Sequence, residues 1–220
     1  VTIMKIFLDS SDIQEIKPLN KSNLIDGVTT NPSLLAKQSG NFKTILKAIA
    51  SEVKGPISAE VTATKFDKMI IEANILRKIA KNIIIKIPLT DDGLLACNYL
   101  AKKKIKTNVT LCFSPSQAIL AAKAGATYVS PFMGRLDDIG ESGIELIRNI
   151  KTIYQNYNFK TQILAASIRS AEHVTEVAKI GTDVVTLPPK IFKQLIKHEL
   201  TDQGLEMFLS DWKKSGKQIS

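Results

Sequence analysis

A lysine stands in the middle of a stretch built to be buried. Residues 82–90 read NIIIKIPLT, a β-branched run of the kind that fills a sheet interior, interrupted by Lys86. Lysine is rarely buried without a partner, and at its ordinary pKa of about 10.4 only about one amine in a few thousand is uncharged at pH 7. Burial disfavours the ammonium form, so a lysine held inside such a strand is driven toward the free amine, a nucleophile for carbonyl carbon. The ordinary alternative is an edge strand that turns the side chain to water. The neighbouring strands decide between the two.

Polar residues recur where those neighbours end. Asp9 closes the run IMKIFLD (3–9), and Thr29, Thr30, Asn31 and Pro32 follow LIDGV (24–28). In PISAEV (56–61), Ser58 and Glu60 share one face and leave the other to Ala59 and Val61. Asn108 and Thr110 share a face of KTNVTL (106–111), Ser130 falls in ATYVSPF (126–132), and Ser167 ends TQILAAS (161–167) with Arg169 just beyond. Each has a plain structural explanation when taken alone. Asp9 and Ser10 could cap a helix at Ser11, Asn31-Pro32 could be a turn, and Thr110 is an ordinary strand residue. Gathered at one end of one scaffold, they would surround a nucleophilic amine.

The spacing of the runs supplies that scaffold. With TDVVTL (182–187) they number eight, and they alternate with amphipathic segments near 11–18, 42–54, 65–81, 91–104, 115–124, 141–157, 170–180 and 189–197. Eight strand and helix pairs predict an α/β fold, a (β/α)8 TIM barrel, in which chemistry collects at the C-terminal ends of the strands. Thr64 to Asp67 and Ser170 to His173 begin helices, Ser114-Pro115 gives a cap followed by proline, and Gly125 and Gly181 close helices. A closed barrel has no edge, so the edge reading of Lys86 falls with it. A doubly wound open sheet is the structural runner-up, and it lacks a glycine-rich phosphate loop here.

With 220 residues, 44% of them hydrophobic, the chain is expected to form one domain over 1–220, with 199–220 as a C-terminal helical extension. The amphipathic stretch 201–214 carries the single Trp, Trp212, either as a lid over the barrel bottom or as a subunit contact. A formal charge of +9 suits anionic partners, yet the lysines are scattered over helix faces. Lys102-Lys103-Lys104 and Lys106 fall where a helix should end and complement its C-terminus, which favours a solvated face over a nucleic-acid patch. Cys97 and Cys112 lack metal-ligand spacing and suit a reducing cytoplasm. No apolar run approaches the roughly 18 residues of a membrane span, and no signal peptide precedes Met4, so a cytoplasmic protein is expected.

Five motifs resemble one family. Thr29-Thr30-Asn31-Pro32, Ile85-Lys86-Ile87-Pro88, Thr107-Asn108-Val109-Thr110-Leu111, Tyr128 to Arg135 (YVSPFMGR) and Ala166-Ser167-Ile168-Arg169 are similar, in order, to those of the transaldolases, in the short subfamily that also contains fructose-6-phosphate aldolase. The resemblance covers Lys5 to about Lys214. It implies a Schiff base on Lys86, Asp9 as the base at the C4 hydroxyl, and Glu60 with Thr110 positioning a water. It further implies Thr29, Asn31, Asn108, Ser130 and Phe132 in substrate binding, with Arg135, Ser167 and Arg169 at the phosphate, where a planar guanidinium suits phosphate oxygens. The two arginines would further disfavour a charged Lys86.

Glu60 and Phe132 occupy positions where the aldolase branch carries Gln and Tyr, so the likeness points to transferase. The implied reaction moves a dihydroxyacetone unit from sedoheptulose 7-phosphate to glyceraldehyde 3-phosphate, giving erythrose 4-phosphate and fructose 6-phosphate, in the pentose phosphate pathway. The alternative is a fructose-6-phosphate aldolase that releases free dihydroxyacetone. No cofactor and no metal are expected, since His173 and His198 fall on helices away from the site. The implied partners are sugar phosphates, with no nucleic acid and no membrane. The likeness also implies a homo-oligomer, rings of five paired into decamers, with the C-terminal helix reaching over a neighbour.

Overall fold

Eight short strands, none of which can satisfy its backbone alone, pair side by side into a ring. The computed structural model describes residues 3–219; Val1, Thr2 and Ser220, the outermost residues of the expected 1–220 domain, lie outside them. The first half of the chain runs β1 (Lys5–Asp9), α1 (Ile13–Asn20), β2 (Gly27–Thr29), α2 (Pro32–Leu35), α3 (Phe42–Glu52), β3 (Ile57–Glu60), α4 (Phe66–Leu76), β4 (Ile83–Pro88) and α5 (Asp91–Lys102). The second runs β5 (Thr107–Cys112), α6 (Pro115–Lys123), β6 (Tyr128–Pro131), α7 (Met133–Asp137), α8 (Gly143–Asn156), β7 (Gln162–Ala165), α9 (Ala171–Ile180), β8 (Val184–Leu187), α10 (Pro189–Gln194) and α11 (Glu199–Ser215). Every neighbouring pair is parallel, and β8 returns to β1 to close a barrel in sequence order. This is the (β/α)8 barrel with an added C-terminal helix.

The period of two along each strand divides the side chains between two cores. Leu8, Val28, Ala59, Ile85, Ile87, Val109, Ile163 and Val185 face outward and are buried under the helices. Ile85 and Ile87 have no exposed surface, and each contributes about 1.5–3 kcal/mol by burial. Facing inward, Phe7, Ile84, Tyr128, Leu164 and Val184 pack together inside the ring. Gly27 makes room for them, because a Cβ there would stand 2.7 Å from the Phe7 ring. Two residues beyond Phe7, Ile84, Tyr128 and Val184 come Asp9, Lys86, Ser130 and Thr186. The barrel interior is therefore apolar at the N-terminal ends of the strands and polar at the C-terminal ends.

Several local expectations need correction. β2 begins at Gly27 because Leu24 is exposed and Asp26 bonds Ile6 through both backbone and carboxylate, ahead of regular pairing. Helix α4 starts on Lys65 without a side-chain cap of its own; Asp92 at the start of α5 accepts from Phe66 N at 3.0 Å instead. That bond, with Lys65, holds the Asp92 carboxyl below its usual range. Ser114, Ser170 and Gly181 cap α6 and α9 as expected, while α6 ends on Ala124, with Gly125 at positive φ just beyond.

Helices α2 and α7 have four and five residues, too short for any periodicity to announce. His198 is the N-cap of α11 rather than a helix-face residue. Along α11, Leu200, Leu205, Met207, Phe208, Leu209 and Trp212 are all exposed, and no residue of the helix is buried, so it is not a lid packed on its own barrel. Among the described residues no helix is long and apolar enough to cross a membrane.

Candidate active site

Lys86 faces the barrel interior and is 4% exposed, which disposes of the edge reading. Its Nζ donates to the Thr30 carbonyl oxygen at 3.1 Å and lies 3.0 Å from Glu60 Oε2. Strand register explains the pairing: Glu60 on β3 and Asn108 on β5 are the direct neighbours of Lys86 on β4. The nearest charge to the amine is thus a carboxylate. The arginines expected to press on it lie farther out, where Arg169 pairs with Asp138 at 2.8 Å and Arg135 stacks 5.5 Å from the Phe132 ring centroid.

Asp9 caps nothing. The N-cap of α1 is Asp12, so the ordinary explanation for Asp9 fails. The Asp9 carboxylate instead accepts from Thr29 Oγ1 at 2.8 Å, and Thr29 touches Thr186 Oγ1 at 2.6 Å. Burial pushes the Asp9 carboxyl above its ordinary value, while the Lys86 charge and the Thr29 hydroxyl pull it back only in part. A recessed carboxyl with a raised pKa is a candidate for proton transfer.

The amides are fixed by their own bonds. Asn108 is fully buried; its Nδ2 donates to Ser58 Oγ at 3.1 Å and its Oδ1 accepts from Ser130 Oγ at 2.7 Å. One N–H of its amide remains uncommitted among the described residues. Asn31 is the N-cap of α2, its Oδ1 accepting from Leu34 N at 2.9 Å, which leaves both N–H groups of its amide to point elsewhere. Asn31-Pro32 is therefore a helix start and not merely a turn. Thr110 Oγ1 is buried with no hydrogen-bond partner among the described residues, as are Ser11 Oγ and Thr182 Oγ1.

Nine of the twelve expected residues line one cleft of ≈ 440 Å³ at the C-terminal mouth: Asp9, Thr29, Asn31, Lys86, Ser130, Phe132, Arg135, Ser167 and Arg169. Glu60, Asn108 and Thr110 are not on its wall; the first two adjoin Lys86 in register, and Thr110 adjoins Pro88. The close fit at the arginines needs Gly134, since a Cβ there would collide with the Ser167 carbonyl and stand 2.8 Å from Arg169. Ser167 itself adopts φ 60°, a left-handed conformation unusual for serine. His173 also adjoins this corner, with Nε2 3.6 Å from Asp137 and Nδ1 accepting from Arg169 N at 3.4 Å, closer to the site than expected.

The cleft adds Lys37 and Thr186, which sequence reasoning missed. Thr186 carried a usable signal, being a polar residue at the end of the eighth strand. Lys37 carried none, because it follows the unforeseen helix α2.

A second cleft of ≈ 590 Å³ opens at the opposite mouth, lined by Lys54, Arg77, Lys81, Lys104 and Lys106 from the loops that lead into β3, β4 and β5. The lysines are therefore less scattered than the sequence implied. Both cysteines are buried away from solvent, and burial pushes the Cys112 thiol up to about 12.

Comparison with known proteins bears on the fold and on the family. A solved structure, thiamine phosphate pyrophosphorylase from Pyrococcus furiosus, matches with TM-score 0.60 at 13% identity over 84% of this chain and 85% of that one, a likeness of fold alone. Proteins named "Probable transaldolase" are far closer in sequence. That of Bartonella tribocorum is 59% identical over 217 residues, covering 99% of this chain and 100% of the relative. That of Caulobacter vibrioides is 59% identical over 216 residues, 98% of this chain and 100% of the relative. The model of the family described as transaldolase/fructose-6-phosphate aldolase matches residues 6–219, and the chain belongs to that family.

Proposed function

We propose that the protein is a transaldolase that transfers a dihydroxyacetone unit from sedoheptulose 7-phosphate to glyceraldehyde 3-phosphate through a Schiff base on Lys86. The observation that carries this reading is a 4%-exposed amine recessed in a cleft that also holds a carboxyl and two guanidinium groups. Glu60, 3.0 Å from Nζ, is placed to take the proton that an ammonium must lose before it can attack. The free amine adds to the C2 ketone, and loss of water leaves an iminium. Asp9 then accepts the C4 hydroxyl proton as the C3–C4 bond breaks, its electron pair passing into the iminium to give an enamine while erythrose 4-phosphate departs. Attack of the enamine on glyceraldehyde 3-phosphate reverses these steps and yields fructose 6-phosphate after hydrolysis.

Retention of the enamine depends on grip. The free N–H groups of Asn31 and Asn108 suit the hydroxyls of the three-carbon fragment, which would hold it until the acceptor arrives. The unpartnered Thr110 hydroxyl supports a role with Glu60 in directing the water of imine formation and hydrolysis. Arg135, Ser167 and Arg169 at the outer wall suit the phosphate. The unburied apolar residues of α11 support a homo-oligomer; a monomeric mass in light scattering would reject that.

Borohydride reduction in the presence of fructose 6-phosphate should add mass to a peptide containing Lys86, and Lys86→Ala should abolish both labelling and transfer while the barrel remains folded. Label on another lysine would reject the nucleophile. Rapid release of dihydroxyacetone without an acceptor aldehyde would reject the transferase in favour of the aldolase.

A further inference from the structure

A hydroxyl holds one hydrogen, and the hydrogen of Thr29 goes to Asp9 Oδ1 at 2.8 Å. Its second contact, 2.6 Å to Thr186 Oγ1, must then be one in which Thr29 accepts and Thr186 donates. Thr186 and Thr29 sit on β8 and β2, the two strands that flank β1, and both are almost fully buried, at 3% and 2% exposure. Barrel curvature lets their side chains meet inside the ring across the strand that carries Asp9. The contact closes a directed chain, Thr186 to Thr29 to Asp9.

From this geometry we propose that Thr186 is a positioning residue for the Asp9 base: by donating to Thr29 it commits the Thr29 hydrogen to Asp9 Oδ1 and leaves Oδ2 for the sugar hydroxyl. The inference rests on the reading of Asp9 as the C4 base. Without the Thr186 hydrogen, the Thr29 hydroxyl is free to rotate away, and the carboxylate loses a donor that favours its charged form. The Thr29 bond is one of the two influences that lower an Asp9 carboxyl otherwise raised by burial.

The other charges around Asp9 are independent of Thr186. Lys86 faces it from β4 and is held by Glu60, while Lys37, Arg135 and Arg169 line the same cleft. Beyond β1, Ser10 bonds Glu15 and Asp12 caps α1, so neither competes for the carboxylate. A movement of the Asp9 titration on changing Thr186 therefore reports the hydroxyl chain.

The test compares transfer by the wild type, Thr186→Val and Thr186→Ser across pH, with Thr186→Ala as a second hydroxyl-free variant should Val not fold. The hydroxyl-free variant should lose roughly tenfold in kcat with KM changed less than about twofold, and the acid limb of its kcat profile should move to higher pH. Ser should restore both. An acid limb that coincides with the wild type, a rise in KM alone, or failure of Ser to restore would overturn the proposal. Borohydride trapping at Lys86 separates the two readings. If trapping persists while the limb stays put, only the role of Thr186 falls; if the wild type is not trapped at Lys86, the proposed reaction falls and takes this inference with it.

Discussion

The two mouths of the barrel carry clefts of comparable size and opposite construction. At the N-terminal mouth, five exposed cations line ≈ 590 Å³ above a floor that includes Ile83 and Ile84. At the C-terminal mouth, the ≈ 440 Å³ cleft has the exposed Lys37, Arg135 and Arg169 on its wall and, deeper, polar groups bonded to their neighbours: Lys86 to Glu60 and Thr30, Asp9 to Thr29, and Ser130 to Asn108. More positive charge sits at the first mouth, yet its five cations are exposed to solvent, and the buried Ile83 and Ile84 beside them are apolar. Exposed lysines interact through water, which screens them, whereas groups withdrawn from water act on each other and on a substrate at close to full strength. The contrast teaches that the proposed site is marked by recessed, mutually bonded polar groups and not by charge count.

Substitutions at the two mouths can break or sharpen that contrast. After the loss expected for Lys86→Ala, the largest effect is expected for Asp9→Asn, which removes the proposed base and should reduce kcat by roughly 10²- to 10⁴-fold. The same variant tests the cost of burying the carboxyl. Its folded-state pKa is raised above the ordinary 3.8, so the folded protein holds its proton to higher pH than the unfolded chain does. The wild type then loses stability as pH rises from the ordinary carboxylate range through the raised value, whereas Asn titrates nothing. Melting temperatures of variant and wild type should diverge in favour of Asn with rising pH, and a constant difference would refute the burial cost. Transfer by the wild type should likewise fall off on the acid side above the ordinary carboxylate range, since the base must be ionised.

A smaller effect is expected from Arg135→Ala, which should raise KM for phosphorylated substrates by roughly tenfold with kcat nearly kept. An unchanged KM would remove Arg135 from the phosphate role. The smallest effect belongs to the opposite mouth. The double variant Lys81→Gln, Lys106→Gln should leave kcat/KM within about twofold at physiological ionic strength, because screened charges that far along the strands exert little field at Lys86. A loss comparable to that of Arg135→Ala would erase the distinction between the mouths.

Much of this arrangement was legible in the chain. Phe7 and Asp9, Ile84 and Lys86, and Tyr128 and Ser130 repeat one period-two pattern, apolar then polar, and eight such runs at regular spacing imply a barrel with chemistry at one end. Most of the site residues were found because they stood at the ends of those runs, while Lys86 stood out in the middle of one and Phe132 and Arg135 came from the family resemblance. Helices α2 and α7 escaped because they have four and five residues and leave no periodic trace. The start of α4 fell within Thr64 to Asp67 as expected, but its capping carboxylate was not legible there because it comes from Asp92, some 26 residues along the chain.

The sequence by itself determined the alternation of strands and helices, the inward face of each strand, and the placement of an amine, carboxyls and guanidinium groups at strand ends, because side-chain period and turn chemistry are local properties. Only the tertiary structure decided which of those groups touch. The register across β3, β4 and β5 set Glu60 against Lys86, closure of the ring brought Thr186 to Thr29, and α11 was left without cover from its own barrel. Contacts of this kind depend on how strands shift against one another when the barrel closes, and that shift is fixed by the packing of the whole ring rather than by any one segment.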